Sequence, residues 1–399
     1  MRRLLSALLA LGILAGCGCV AAWAWSYRWL RAGRSYIDRG IISAAQQSLF
    51  RFVRWHPAHP EANYLLGLSF GVRSDWSSAL HHFQQVPDDC PEGVDSRWRE
   101  GDVLIKLNRA ADAESSLKHA LELDPNCLEA LRGLIHLYRW QDRQTDAAPL
   151  VWKAYEITEQ EQRPMLMAEW FRFRFAQYNS AQTFGRLREF LATQPDDLDT
   201  AVALGRWSLR ERQLGWARTM LEQAFQQQPG RTEARTLLAE CWLDIGNGTE
   251  AEKLLVEWPE TQRDVRYWRL AGRWQQEFAQ EFESAIKSFQ KSLASEPDDW
   301  QVRFRLADCL RMQNQSTAAL REASEAERIR DITRYDNVRE ILDKTLQRLA
   351  RIENRHAIGE FYRSIGYSRE ARVWFELALE LDHEYEPSRR ALEELKEHD

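Results

Sequence analysis

Apolar positions recur along this chain at the spacing of amphipathic helices, in pairs of runs separated by short polar turns. In one such pair Trp29, Gly33 and Tyr36 lie on one helical face, and Ala45 and Leu49 lie on the next. Intervals of three and four residues are those of a helix that buries one stripe of its surface. The pattern therefore predicts two antiparallel helices in each unit of the chain.

The units repeat with a fixed length. Small residues recur 34 positions apart in two series, at Ala45, Ala79, Ala113 and Ala147, and at Ala217, Ala251, Ala285 and Ala319. A second small position has the same period, at Gly33, Gly67 and Gly101 and again at Gly205 and Ala239. Such a period is typical of a repeat array, in which a small residue at each helix crossing lets two helices approach closely.

The repeated positions resemble those of the tetratricopeptide repeat family. The family pattern, on a first helix and then a second, is matched by Trp29, Gly33, Tyr36, Ala45, Leu49 and Pro57, and by Ile358, Gly359, Tyr362, Ala371, Phe375 and Ala378. The resemblance implies an all-α fold, a right-handed superhelical solenoid of about ten helix–turn–helix repeats. An N-terminal apolar helix is expected to precede this array.

We divide the chain into four parts. Residues 1–25 are a transmembrane anchor or signal sequence, and residues 26–330 are an array of about nine repeats that is irregular near 164–197. Residues 331–354 are predicted to form an extra amphipathic helix, and residues 355–399 a C-terminal repeat with a cap helix. The polar character of the last segment suits a cap, because a terminal repeat needs a polar outer face.

Three departures from the pattern predict local irregularity. Phe171 occupies the small-residue position of the fifth unit, and the interval from Ala271 to Ala285 is two residues longer than the usual twelve. The interval from Ala319 to Ala371 exceeds one period by eighteen residues, which is enough for one helix and its turn.

An uncharged run from Leu4 to Tyr27 follows two arginines and leaves three interpretations open. Its 24 residues would form roughly 36 Å of helix, enough to span a bilayer. Leu14–Cys17 resembles a bacterial lipobox with Cys17 as the lipidated residue, and Ala22–Ala24 offers a signal-peptide cleavage site. Apolar residues after Cys17 favour a retained helix. We expect a bacterial membrane-anchored protein that faces the periplasm, or otherwise a lipoprotein or secreted protein.

Composition and motifs argue against several classes of function. A net charge of −6 and a pI near 6.0 disfavour nucleic-acid binding, which requires a basic surface. The six cysteines lack the spacing of a zinc site or a disulfide framework. The sequence has no phosphate-binding glycine loop and no HExxH or GxSxG motif. We therefore expect no enzyme activity, cofactor, metal ion or small-molecule substrate.

Protein binding is the function class that remains. The resemblance implies that the first helix of each repeat lines an extended groove, which places Arg34, Tyr64, Trp98, Arg132, His136, Arg206, Trp268 and Phe304 in that groove. Aromatic and cationic residues suit a protein partner with an extended or acidic peptide segment. We predict a non-catalytic scaffold or adaptor at a bacterial membrane. The alternative is an accessory or regulatory docking subunit of an envelope enzyme complex for polymer synthesis or secretion.

Overall fold

A computed structural model describes residues 23–175 and 180–398, and every regular element within these ranges is helical. The predicted all-α fold is therefore confirmed. In chain order the described α-helices are α1 (23–38), α2 (Ile42–Val53), α3 (Pro60–Val72), α4 (Trp76–Gln84), α5 (Gly93–Lys106), α6 (Ala110–Leu123), α7 (Leu128–Trp140), α8 (Gln144–Ile157), α9 (Arg163–Phe175), α10 (Ser180–Thr193), α11 (Leu198–Arg210), α12 (Leu214–Gln227), α13 (Thr232–Ile245), α14 (Gly248–Val256), α15 (Val265–Trp274), α16 (Phe282–Leu293), α17 (Trp300–Met312), α18 (Ser316–Ile332), α19 (Tyr335–Glu340), α20 (Ile352–Ser364), α21 (Ser368–Leu379) and α22 (Glu386–His398).

The described residues form two units. Unit 1 contains those up to Tyr138 together with Ala192–Pro195, and unit 2 contains all the others. Within each unit successive helices pack together, for example α5 with α6 in unit 1 and α11 with α12 in unit 2. We number the repeats by their helix pairs in chain order, so that α1 and α2 form the first repeat, α17 and α18 the ninth, and α20 and α21 the tenth.

The helix crossings explain the small residues of the pattern. Five glycines each face a large apolar side chain sixteen positions later in the same repeat, as Gly33 with Leu49, Gly67 with Phe83, Gly101 with Leu117, Gly205 with Leu221, and Gly359 with Phe375. A methyl group on any of these glycines would lie only 2.5–2.7 Å from the facing side chain. The recurring alanines of the second helices are also buried, and the close approach of the two helices thus depends on both small positions.

Short turns between the two helices of a repeat share one backbone feature. Outside the fifth repeat, whose turn lies between the two described ranges, one residue in each takes a positive φ angle, at Gly40, Ser74, Asn108, Asp142, Arg212, Gly246, Gln280, Asn314 and Gly366. The repeat period of these positions shows that the turn is the same in each case. Asparagine, aspartate and glycine tolerate this conformation best, which accounts for their frequent use here.

Several helices begin at a side chain that caps the first turn. Asp75, Asp197, Asn247, Asp264 and Asp299 each accept a hydrogen bond from a backbone N–H of the helix that follows. These caps satisfy donors that the helix cannot pair internally. They explain why the helices start where the polar turns end.

The eighth repeat corrects the predicted alignment of its small residue. Gly272, rather than Ala271, lies opposite Phe289, so the interval between the facing residues is one position longer than elsewhere. A π-helical turn, Gln275–Ala279, absorbs the additional residue before Gln280 begins the turn with a φ of 56°. The insertion therefore widens one helical turn and leaves the crossing intact.

The segment 331–354 connects the ninth repeat to the tenth. It contains α19, which continues through irregular helical turns to Arg348. Val338 and Leu346 of its predicted apolar face are buried, whereas Ile352 already belongs to α20. After the tenth repeat, α22 packs on α21.

The N-terminal prediction falls largely outside the described residues, and so does Cys17. Trp23 and Trp25, which we assigned to the N-terminal segment, belong to α1 together with Ser26. The Ser26 hydroxyl lies 2.6 Å from Nε2 of His56, and the Trp23 ring packs on the same imidazole. These contacts make Trp23 part of the first repeat. Within the described ranges no helix combines the length and the apolar character needed to cross a membrane.

The tenth repeat packs against the fifth within unit 2. The rings of Phe171 and Phe175 in α9 contact those of Phe361 and Tyr362 in α20, with centroids 5.1–5.7 Å apart. Phe171 and Tyr362 are fully buried. The large side chain in the small-residue position of the fifth unit is thus used to contact a distant repeat.

Polar contacts border this aromatic cluster. The Arg174 guanidinium lies 3.7 Å from the centre of the Tyr367 ring and 3.7 Å from a carboxylate oxygen of Glu370. The Tyr367 hydroxyl donates a hydrogen bond of 2.5 Å to Asp298. Burial raises the pKa of Asp298, although this hydrogen bond and the charge of Arg174 oppose the shift. Polar and charged contacts therefore accompany the apolar packing between the fifth and tenth repeats.

Candidate protein-binding surface

Two first helices of unit 1 bring predicted groove residues together. The Tyr64 hydroxyl of α3 and the indole N–H of Trp98 in α5 both donate hydrogen bonds to Asp95, the second at 2.5 Å. The Arg99 guanidinium lies 4.2 Å from the centre of the Trp98 ring and 5.8 Å from that of Tyr64. We call Tyr64, Asp95, Trp98 and Arg99 the aromatic–arginine cluster.

Electrostatics hold this cluster in one arrangement. Burial and the hydrogen bond to Asp95 raise the pKa of Tyr64 to about 12, so its hydroxyl stays a donor. Burial opposes ionisation of Asp95, but the Tyr64 hydrogen bond and the positive charge of Arg99 outweigh it and lower the Asp95 pKa. Asp95 is therefore a carboxylate near neutral pH. Sequence reasoning placed Tyr64 and Trp98 in the groove but missed Asp95 and Arg99, whose i, i+4 spacing on α5 was the available signal.

The other predicted residues of unit 1 lie on first helices as well. Arg34 of α1 forms an exposed ion pair with Glu61 at the start of α3. Arg132 of α7 is exposed and His136, one turn further along the same helix, is half-buried. Arg132 is thus an exposed residue of α7, the first helix of the repeat that follows the aromatic–arginine cluster.

Arg206 has a structural role in unit 2. Its guanidinium donates to the backbone carbonyl oxygens of Gln141, at 2.7 Å, and Asp142, and it pairs with the Glu233 carboxylate of α13. Because these partners satisfy a partly buried guanidinium, Arg206 fixes neighbouring segments. Its place in a binding groove stays a prediction.

Trp268 and Phe304 each lie next to a cation of the second helix in their own repeat. The Lys291 ammonium of α16 is 3.8 Å from the centre of the Trp268 ring, and the Arg330 guanidinium of α18 is 5.7 Å from that of Phe304. Both rings remain partly exposed. These cation–π contacts cover part of each ring surface and leave less of it for a partner.

Unit 2 carries a ladder of ion pairs across three first helices, which the sequence alone did not reveal. It joins α13, α15 and α17 through the pairs Glu240–Arg269, Arg269–Asp299, Asp244–Arg273, Arg273–Glu277 and Arg305–Glu277. A shallow depression of about 90 Å³ lies among these side chains. Its charges are matched internally, as those of Arg99 and Asp95 are, but the lining of this depression has none of the aromatic rings found in the aromatic–arginine cluster.

Two features of the described residues bear on metal binding and on thiol reactivity. Across those residues no group of His, Cys, Asp and Glu side chains has the arrangement of a metal site. Burial raises the pKa of the Cys241 and Cys309 thiols to about 11, which keeps them protonated. What unit 1 offers is a set of aromatic faces and guanidinium groups suited to recognition.

Comparison with known families agrees with the helical geometry. Models described as tetratricopeptide repeat match residues 99–161, 208–273, 277–331 and 352–385, which together make up more than half of the chain. The chain belongs to the tetratricopeptide repeat family. The family resemblance predicted from the recurring small residues is thereby confirmed. No curated protein sequence matches this tetratricopeptide repeat protein.

Solved structures similar to this tetratricopeptide repeat protein share little sequence with it. The crystal structure of the APC/C hetero-tetramer Cut9–Hcn1 is 13% identical, with 91% of this chain and 88% of that chain covered and a TM-score of 0.34. A tetratricopeptide repeat protein from Parabacteroides merdae is 14% identical, with coverages of 71% and 98% and a TM-score of 0.29. The P58(IPK) TPR domain is 14% identical, with coverages of 93% and 97% and a TM-score of 0.28.

Proposed function

We propose that this tetratricopeptide repeat protein is a non-catalytic adaptor that binds an extended, acidic segment of a partner protein along the first helices of unit 1. The observation that carries this proposal is the aromatic–arginine cluster, in which Asp95 holds Trp98 and Tyr64 in place on adjacent repeats. Preorganised aromatic and arginine side chains are the usual energetic centres of protein interfaces. The repeat family itself supports protein binding.

An acidic partner segment fits the charges of this surface best. The Arg99 guanidinium lies beside two aromatic rings, on which its planar group can stack, and its Nε–H contacts Asp95 and Tyr64. Its terminal N–H groups are the ones that would bind a partner carboxylate. Arg132 adds an exposed cation on α7. The charge of Asp95 is already neutralised by Arg99, which lies 3.1 Å away, and by two hydrogen-bond donors.

The adaptor is proposed to act at a bacterial membrane, facing the periplasm. The support for this part is the uncharged run Leu4–Tyr27, of which the 19 residues before α1 would form roughly 28 Å of helix, about the thickness of a bilayer core. Lipidation at Cys17 is the alternative form of attachment, and secretion after cleavage is the third. Labelling cells with a palmitate analogue separates them, since label that is lost in Cys17→Ala identifies a lipoprotein, and an unlabelled membrane-bound chain identifies a retained helix.

Capture of partners from a membrane extract tests the binding surface. Trp98→Ala and Arg132→Ala, combined in the full chain, should reduce capture at least tenfold while the helical circular dichroism signal is unchanged. Trp216→Ala is the matched control, because Trp216 is 49% exposed on a second helix. Undiminished capture by the double variant would contradict the surface assignment.

The same capture experiment separates the adaptor from the alternative function. An accessory or docking subunit of an envelope enzyme complex should retain one enzyme in stoichiometric amount. An adaptor should retain a set of partners that compete for one surface. Quantitative mass spectrometry of the captured proteins, with and without an excess of one purified partner, distinguishes these outcomes.

A further inference from the structure

The first repeat differs in charge from the rest of the chain. Residues 23–59 contain six arginines and one aspartate, whereas the whole chain has a net charge of −6. Arg28, Arg31, Arg39, Arg51 and Arg54 are exposed. In the part of the chain that the structure describes, no carboxylate pairs with Arg28, Arg31 or Arg51. This repeat therefore presents unpaired positive charge.

Exposed aromatic side chains are interleaved with these arginines. The Arg28 guanidinium lies 3.0 Å from the centre of the Trp25 ring and 4.4 Å from that of Trp29, and Arg51 of α2 lies 4.6 Å from the Trp29 centre. Trp25 is 56% exposed. We call Trp25, Arg28, Trp29 and Arg51 the basic aromatic face.

A second exposed site lies on the same repeat. A cleft of about 510 Å³ is lined by Trp23, Tyr27, Arg31 and His59, among others. Trp55, at the end of α2, is 53% exposed as well. Trp23, Trp25 and Trp55 are thus three exposed tryptophans on one repeat, and tryptophan is the residue typical of a membrane–water interface.

We propose that the basic aromatic face binds the surface of a bilayer that contains anionic phospholipids, and that it thereby holds the first repeat flat against the membrane. Tryptophan prefers the headgroup region of a bilayer, and each arginine near an anionic surface adds an attraction that salt screens. The charge is complementary to phosphate headgroups, and the face overlaps the end of the uncharged run Leu4–Tyr27, because Trp25 belongs to both. This inference rests on the proposed membrane location and adds a lipid class and a contact surface to it.

Hydrogen exchange of the full chain on vesicles tests the inference. The chain is mixed with vesicles of phosphatidylcholine alone or of phosphatidylcholine with phosphatidylglycerol, and amide exchange is followed in peptides from residues 23–59. We expect exchange there to slow roughly fivefold or more on the anionic vesicles only, and to recover in high salt. Equal exchange on the two kinds of vesicle would overturn the proposal. The same result is expected if the face binds an acidic protein segment instead of lipid.

Two variants locate the contact. Arg28→Gln with Arg51→Gln should abolish the difference between the vesicles, whereas Arg212→Gln with Arg311→Gln should preserve it. The control arginines are also highly exposed, with 69% and 66% of their side chains accessible, but they lie in other repeats. A difference that persists in the first double variant would overturn the assignment. Flotation of the chain with neutral vesicles reports attachment through the N-terminal segment separately, so failure of the proposed location is distinguished from failure of the lipid contact.

Discussion

The rings of Phe171 and Tyr362 pack edge to face, with centroids 5.6 Å apart and an interplanar angle of 86°. One belongs to the fifth repeat and the other to the tenth, and both are fully buried. Contacts in a simple repeat array join neighbouring repeats only. This pair therefore makes unit 2 a structure in which two distant repeats stabilise each other.

Phe171→Ala should remove that mutual support. We expect a loss of about 3–5 kcal/mol in the free energy of unfolding, because truncating a buried aromatic ring leaves a cavity. Amide exchange should accelerate in α20 and α21 as well as in α9. Phe190→Ala is the matched control, since Phe190 is equally buried in α10. It should destabilise its own repeat without a selective effect on α20, and selective loosening of α20 by both variants would argue against the contact.

Alanine in place of either of two glycines outside the helix crossings should change the free energy of unfolding, in opposite directions for the two sites. Gly246 ends α13 with a φ of 85°, whereas Gly215 lies in the first turn of α12, and neither would bring an added methyl group within 4 Å of another side chain. Gly246→Ala should lower the free energy of unfolding by about 1 kcal/mol, because alanine is strained at a positive φ. Gly215→Ala should raise the free energy of unfolding by about 0.5–1 kcal/mol, because alanine is more favourable than glycine within a helix. Denaturant unfolding of both variants checks the pair, and effects of equal sign would contradict the turn geometry.

Two histidines of unit 1 should give opposite pH dependence. Burial, with the neighbouring His81, lowers the pKa of His82 to about 4, while hydrogen bonds to Asp88 and Glu122 raise that of His119. His82 stabilises the fold above the ordinary histidine pKa of 6.5, and this contribution is lost as the pH falls toward 4. His119 stabilises the fold fully below the ordinary histidine pKa. This stabilisation is lost as the pH rises through the raised pKa of His119.

Unfolding free energies measured as a function of pH separate these contributions. His82→Gln should flatten the decline between about pH 6.5 and 4, because glutamine does not titrate. His119→Gln should lower stability in acid and leave it unchanged in alkali. Identical pH profiles for the wild type and His82→Gln would show that folding does not lower the pKa of His82.

Overpacking at a crossing tests the small-residue positions directly. Ala217 is fully buried where α12 meets α11. Ala217→Trp should therefore lower the free energy of unfolding by about 1–3 kcal/mol. Thr219→Trp, at an exposed position of the same helix, should change stability little. Thermal unfolding compares the two. A melting temperature of Ala217→Trp equal to that of the wild type would contradict the placement of Ala217 at the crossing.

The sequence predicts the helix pairs well because their cause is local and repeated. Each Gly or Ala at a crossing has a facing residue at a fixed distance along the chain, so the period alone shows the pairing. The same reasoning identified Phe171 as an exception, because a large ring cannot occupy a crossing. It could not identify Tyr362 as the partner, since a contact between distant repeats does not recur along the sequence.

Repeat position predicts less about the candidate surface than about the helix pairs, for a similar reason. Repeat position correctly places Tyr64 and Trp98 on first helices, and their shared acceptor Asp95 shows that the structure brings them together. Repeat position cannot show that Arg206 binds backbone carbonyl oxygens, or that Lys291 covers Trp268. These contacts depend on the directions of long side chains, which a residue pattern does not specify.

Site-specific photo-crosslinking in membranes tests the adaptor function most directly. Asp102 is exposed one helical turn after Trp98 in α5, and Ser115 is exposed on α6, the second helix of the same repeat. A benzophenone amino acid at position 102 should form a discrete adduct with a partner protein that is lost in Arg132→Ala, while position 115 should form none. Equal adducts at both positions, or no adduct at position 102, would contradict binding of a partner along the first helices of unit 1.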